Sequence, residues 1–188
     1  MLRNRKSPGI FAGSVQELKN LHVIVLCGVL GAMSVALGFV GTVRIGPYIR
    51  IGLSGIPERM VDLLFGPAVG GIFGAVMDIL KYIVNPGGVF FPGFTLSSAL
   101  TGIVYGIFLY EKKLTWVRVL IPEVIVRLVV NLGLNTIWLT ILYGESFFVL
   151  FPARLVSNLI QIPIETVLIY MILQASIHIL GRSGWRTY

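Results

Sequence analysis

Residues 119–142, VLIPEVIVRLVVNLGLNTIWLTIL, decide how this chain is read. The stretch is long and apolar enough to cross a bilayer, which takes about 20 residues of helix. Yet Glu123, Arg127, Asn131 and Asn135 recur in it at every fourth position. Steps of four advance about 400° on a helix of roughly 3.6 residues per turn, so the four side chains stay on one face. A charged group at mid-membrane is costly. That face therefore meets protein or a water-filled cavity, and a polar ladder so placed marks a binding site or a permeation path.

The rest of the chain fits a membrane protein. Of its 188 residues, 56% are hydrophobic and 12% charged, against about 25% charged in a soluble domain. Mean hydropathy is +0.90. No Lys, Arg, Asp or Glu occurs in 20–43 or in 82–110. Six spans are expected. The first opens on a capping box, Ser14-Val-Gln-Glu17, and continues as one helix to about Val40. The others are 54–65, 68–84, 95–110, 119–142 and 150–177. Gly66-Pro67 reads as a tight turn between the second and third, and Asn85-Pro86-Gly87-Gly88 as a break.

The expected fold is thus an all-α integral membrane protein, a compact bundle of six transmembrane helices forming a single domain over 1–188. Residues 1–13 read as a flexible basic tail. The apolar run Leu21–Val43 exceeds the core of a signal peptide and is read as a retained helix. Cys27 is the one cysteine, which excludes an internal disulfide. The net charge of +7 is spread over loops without a basic patch, so nucleic acid is not the expected partner.

Six spans put both termini on one side. That side holds Arg3, Arg5, Lys6, Lys19, Lys112, Lys113, Arg118, Arg182 and Arg186, whereas the opposite loops hold Arg44 and Arg50. The positive-inside rule then makes both termini cytoplasmic, and 41–53, 85–94 and 143–149 external loops. With that topology Glu58, Arg59, Lys81, Tyr82, Asn131, Asn135, Trp138, Arg154 and Asn158 fall in the outer half of the membrane. Such a cluster under loops has the layout of a substrate pocket open to the outside. Simple structural pairing competes as an explanation for Glu123 with Arg127, and for Asp62, Asp78 and Glu165. On the first span, Ala32 and Ala36 form a small-xxx-small pair that suits close helix packing. There is no G-x-x-x-x-G-K-[ST] phosphate loop, zinc signature or nucleophile elbow.

These features resemble a known family. The stretches RIGPYIRIGLSGIPERMVDLLFGPAVGGIFGAVMDILKY (44–82), FFPGFTLSSALTGIVYGIFLY (90–110), NLGLNTIWLTILYG (131–144) and FPARLVSNLIQIPIE (151–165) carry the resemblance. With an A-x-x-x-A on the first span, they are similar to the S components of energy-coupling factor (ECF) vitamin transporters, and to the folate-specific branch among them. The resemblance implies a non-enzymatic subunit of a bacterial cell membrane that captures folate outside. It implies partners as well: a transmembrane coupling protein docking on Ala32 and Ala36, and two ATPases that use the ATP. The chain itself would need no cofactor and no metal. The loop bearing Arg44 and Arg50 would act as a gate.

Folate chemistry then sorts the candidates. A pterin edge needs donors and acceptors, which asparagine supplies, so Asn131, Asn135 and Asn158 are assigned to it. Phe91, Phe94, Trp138 and Tyr143 are assigned to stacking. The two tail carboxylates call for Arg44, Arg50 and Arg154, with Lys81 as an accessory. S components for thiamine, riboflavin or pantothenate are the alternative, although the arginines in the outer layer favour an anion. An intramembrane enzyme and a structural scaffold are the less favoured classes.

Overall fold

In the computed structural model, the chain is described for residues 9–40, 42–45, 49–86, 88–144 and 147–182, without the side chains of 40, 42–45, 49–51, 149–150 and 179–182. In chain order the elements are α1 (Ile10–Glu17), α2 (Leu21–Val40), strands β1 (Thr42–Ile45) and β2 (Ile49–Gly52), and α3 (Gly55–Val84). There follow α4 (Pro92–Leu109), α5 (Trp116–Ile125), a π-helical stretch (Val126–Leu134), α6 (Asn135–Tyr143) and α7 (Phe147–Arg182). The stretch expected as the loop 41–53 contains an antiparallel hairpin whose register pairs Arg44 with Arg50. Its strands are rich in β-branched residues, which suit extended backbone.

Two elements need regrouping before they match the expected rods. Helix α3 is two arms, because Gly66 leaves helical geometry at φ 84° and ψ −172°. Conversely, α5, the π-helical stretch and α6 join through right-handed helical backbone at both junctions. With α2, α4 and α7 this makes six long rods. Four helical segments are long and apolar enough to cross a membrane among the described residues: Leu21–Phe39, Gly55–Val84, Pro92–Leu109 and Phe151–His178. Helix α4 starts at Pro92 with Phe91 as its cap, so Phe94, expected in the loop, belongs to its first turn.

The break at Gly66 corrects the expected capping box. Helix α1 ends at Glu17 and does not run into α2. Ser14 caps nothing in its own helix. Its buried hydroxyl donates to the Phe65 carbonyl at 2.6 Å and accepts from the amides of Ala68 at 3.0 Å and Val69 at 3.1 Å. A break inside a helix orphans backbone groups that must be paired when buried, and here a residue 51 positions away does so. Only glycine suits position 66: its φ is positive, and a methyl there would sit 2.8 Å from the Tyr110 ring.

Helix α3 lies at the centre. Its first arm gives Leu63 to an apolar cluster with Tyr105, Leu109, Val119, Val126, Val130, Ile169 and Leu173. It gives Val61 and Phe65 to a second cluster with Val23, Leu30, Val69, Phe73 and Met77. The second arm meets α4 backbone to backbone, since a Cβ on Gly106 would lie 2.5 Å from Pro67 Cα and one on Gly74 2.5 Å from the Ser98 carbonyl. Small residues permit this approach, and in lipid such packing largely replaces the hydrophobic drive between helices. Large apolar side chains point outward instead: Leu21, Val25, Val29 and Phe39 of α2, and Val156, Leu159 and Met171 of α7. These are the surfaces that lipid covers.

Ser14→Ala leaves two amides of α3 without an acceptor, at a cost of about 1–3 kcal/mol. A thermal unfolding curve of the protein in detergent is expected to move down by about 2–4 °C per kcal/mol, and Gly66→Ala is expected to be more damaging.

Candidate functional site

The polar ladder becomes a network that crosses the bundle. Arg127 binds Glu123 at 2.8 Å and also pairs with Glu165 of α7. It donates to Gln161 at 3.0 Å. The other oxygen of Glu123 accepts from the Tyr105 hydroxyl of α4. Over the Tyr105 ring, 4.0 Å from its centroid, lies the guanidinium of Arg59, which binds Asp62 at 2.7 Å. Glu58, 3.7 Å from Arg59, pairs with Lys81 on the other arm of α3. Each charge thus meets an opposite charge, as a low-dielectric interior demands. The structural pairing weighed for Glu123, Asp62 and Glu165 is present. Asp78 instead accepts hydrogen bonds from Thr95 at 2.7 Å and Ser98 at 3.4 Å.

Pairing is not all these groups do. Arg59, Tyr105, Glu123, Arg127 and Glu165 line a cavity of about 200 Å³, together with Thr101, Asn131, Val126 and the turn Gly52–Gly55–Ile56. The π-helical stretch shapes its wall. Bonds from i to i+5 make a wider turn than in an α-helix, so steps of four that overshoot an α-turn fall short of a π-turn. The two drifts oppose each other, and the ladder stays on the cavity side across the junction.

The expected site residues fall into two groups and several outliers. Asn131, Asn135, Arg154 and Asn158 come together: Asn135 donates to Asn131 at 3.0 Å, Arg154 to the Asn131 carbonyl at 3.1 Å, and Asn158 to the Arg154 carbonyl at 2.8 Å. Two buried atoms of this group, Asn135 Oδ1 and Arg154 Nε, have no partner among the described residues. Phe91, Phe94 and Trp138 form the second group, with centroids 6.1 Å apart for Phe91 and Phe94 and 5.7 Å for Phe91 and Trp138. Trp138 donates to Ser97 at 3.1 Å. Ser97, Thr101 and Tyr105 form one stripe of α4, which carries the aromatic group and the cavity wall together.

Tyr143 stands apart, largely exposed, with its hydroxyl near Gly88. Lys81 lines a different cavity, with Val35, Phe39 and Asn85. The side chains of Arg44 and Arg50 lie outside the described residues. Ala32 and Ala36 are exposed on α2. Sequence reasoning missed Tyr105 and Thr101, which sit in a charge-free span; their spacing of four on α4 was the available signal.

The network also sets a stability test. Arg127→Met strands two carboxylates in the interior and is expected to cost about 3–5 kcal/mol. Adding Glu123→Gln and Glu165→Gln is expected to restore most of that loss in thermal unfolding of the ligand-free protein.

Comparison with known proteins agrees with this architecture. The family described as "ECF transporter, substrate-specific component" matches residues 22–173. A relative from Clostridium novyi (strain NT), named Folate transporter FolT, is 47% identical over 124 residues, or 66% of this chain and 72% of the relative. A Folate transporter FolT from Leuconostoc mesenteroides subsp. mesenteroides is 30% identical over 154 residues, 77% of this chain and 83% of that one. Among solved structures, "Crystal structure of FolT bound with folic acid" superposes with a TM-score of 0.73 at 33% identity, covering 81% of this chain and 93% of the other. With a membrane bundle, a central polar cavity and a match over most of its length, the chain belongs to the substrate-specific components of ECF transporters.

Proposed function

We propose that this chain is the folate-binding subunit of an ECF transporter in a bacterial cell membrane. The observation that carries the reading is the junction of two groups on one helix. A donor–acceptor cluster with unpartnered atoms on Asn135 and Arg154 lies within a helical turn of Trp138, which joins the aromatic group centred on Phe91. A pterin presents this combination, a flat face and an edge of alternating donors and acceptors. Relatives named for folate transport, and a similar structure with folic acid bound, support the choice of ligand.

In this reading Phe91, Phe94 and Trp138 stack on the ring, with Tyr143 at the rim. Asn131, Asn135 and Asn158 meet its edge. Arg154 shares their cluster, so its guanidinium serves the ring's carbonyl side as well as any nearby anion. Arg44 and Arg50 belong to the hairpin that closes over the ligand. The whole chain acts as one membrane domain with both termini cytoplasmic, and the basic tail ends where α1 begins at Ile10, short of the expected 1–13. The stretches 41–53, 85–94 and 143–149 face outside.

The family implies a coupling protein and two ATPases, which supply the energy; this chain needs no cofactor of its own. The exposed small residues Ala32 and Ala36 offer the coupling protein a flat helix face, and beyond its own helix no atom of the described residues lies within 4 Å of where a Cβ on Gly28, one turn earlier, would stand.

Titration of the detergent-purified protein with folate, followed by tryptophan fluorescence, is expected to saturate, with thiamine, riboflavin and pantothenate silent. A response to one of those vitamins and none to folate would overturn the choice of ligand. Arg154→Ala is expected to weaken binding about tenfold or more, roughly 1.4 kcal/mol. Ala32→Arg with Ala36→Arg is expected to leave folate binding intact and to abolish uptake in cells carrying the partner subunits.

A further inference from the structure

Trp138 is held by a residue outside the expected site. Ser97 of α4 is 3% exposed, and its hydroxyl accepts the indole N–H of Trp138 at 3.1 Å. The Ser97 carbonyl accepts from Thr101 at 2.8 Å, one turn further along. This hydroxyl stands on a helix with no freedom to shift toward α3, because Gly102 and Gly106 leave no space between the two backbones. An indole has one donor and no acceptor. In an apolar setting that N–H needs a partner, and among the described residues Ser97 supplies it.

One turn earlier on the same face of α4, Gly93 makes a second contact. A Cβ there would stand 2.6 Å from Trp138 Cδ2 and 2.5 Å from Phe91 Cε1. Cδ2 is a ring-fusion carbon, bonded in the ring plane on all sides, so it is approached only over a face of the indole. The start of α4 therefore lies against one face of Trp138, with the Phe91 ring beside it. Successive turns of one helix thus hold the indole at its N–H edge and at a face.

The plane so fixed has a consequence for a stacked ligand. Without the hydrogen bond, the torsion that turns an indole about its Cβ–Cγ bond has a broad profile, and the N–H would seek another acceptor. Asn135 lies one turn before Trp138 on α6, with its Oδ1 unpartnered. A flat ring that stacks on the indole and offers its edge to Asn135 meets both only for a narrow range of indole planes.

We propose that Ser97 is a positioning residue, which acts through Trp138 and not on the ligand. It fixes the indole so that a ring stacked there has its edge at the Asn131–Asn135 group. Gly93 assists by letting the start of α4 lie against the indole. This assignment rests on the folate reading above and adds to it a residue that sets the orientation of the stacking platform.

The test has two arms. In the first, Trp116 and Trp185 are replaced by Phe, so that Trp138 is the one tryptophan left to emit, and no ligand is added. Ser97→Ala is expected to lower the fluorescence anisotropy of Trp138 and to shift its emission. Unchanged anisotropy and emission would overturn the proposal, whatever the ligand is. In the second arm, folate is titrated calorimetrically into the unsubstituted protein, Ser97→Ala, Trp138→Phe and the double variant. Ser97→Ala is expected to weaken folate about three- to tenfold, the fold-change that corresponds to one neutral hydrogen bond. Trp138→Phe keeps a ring but has no N–H to hold, so adding Ser97→Ala to it is expected to change affinity by less than about twofold. Equal weakening by Ser97→Ala in both backgrounds, or none in either, would overturn the positioning role. Failure of the unsubstituted protein to bind folate would overturn the folate reading and the affinity effect with it. The first arm, free of ligand, separates that failure from a failure of the Ser97 contact.

Discussion

Charge pairing inside an apolar medium is the constraint on which the rest of this structure depends. Lipid tails are as apolar as any core, so apolar contact by itself selects few helix positions in a membrane. A buried charge is selective, because losing its partner leaves it uncompensated. The row from Lys81 through Glu58, Arg59, Tyr105, Glu123 and Arg127 to Glu165 visits both arms of α3, then α4, α5, the π-helical stretch and α7. None of these helices can slide by a turn without stranding a carboxylate or a guanidinium. The cavity sits on this network, so its walls are held by the interactions that make the bundle unique.

A second constraint complements the first. Glycines on α3 and α4 bring two backbones into contact, and the Gly66 break lets one continuous segment supply two rods. The break persists because Ser14 pairs the groups it orphans. Helix α1 is therefore part of the bundle's architecture, although it is too short to cross a membrane.

Much of this was legible in the sequence, and the exceptions share a cause. The period of four from Glu123 to Asn135 revealed a polar face because its signal is local. Gly66-Pro67 marked a real break for the same reason. Ser14 was misread because its capping-box pattern is also local, while its partners lie on another helix. Tyr105 escaped notice since it carries no charge, and its role appears only once Glu123 and Arg59 stand on either side of it. The π-helical stretch leaves no mark that separates it from an α-helix of the same composition. Lys81 was read with the other polar groups of one layer, but it lines a cavity apart from theirs, beyond the turn at Gly52.

Helix α4 carries a consequence for how such a protein diverges. One stripe of it is pressed against α3: Gly102 and Gly106 have no space for a methyl group there, and the Ser98 carbonyl leaves none on Gly74. The adjacent stripe, Ser97, Thr101 and Tyr105, faces the site. The helix is thus a fixed rail whose position cannot be adjusted by substitution without parting it from α3. A descendant that acquires a new ligand must keep this rail and alter what stands opposite it: the hairpin, the π-helical wall and the first turns of α7. Inherited variation in ligand choice should therefore collect on those three elements, while α4 and the arm of α3 beneath it change slowly.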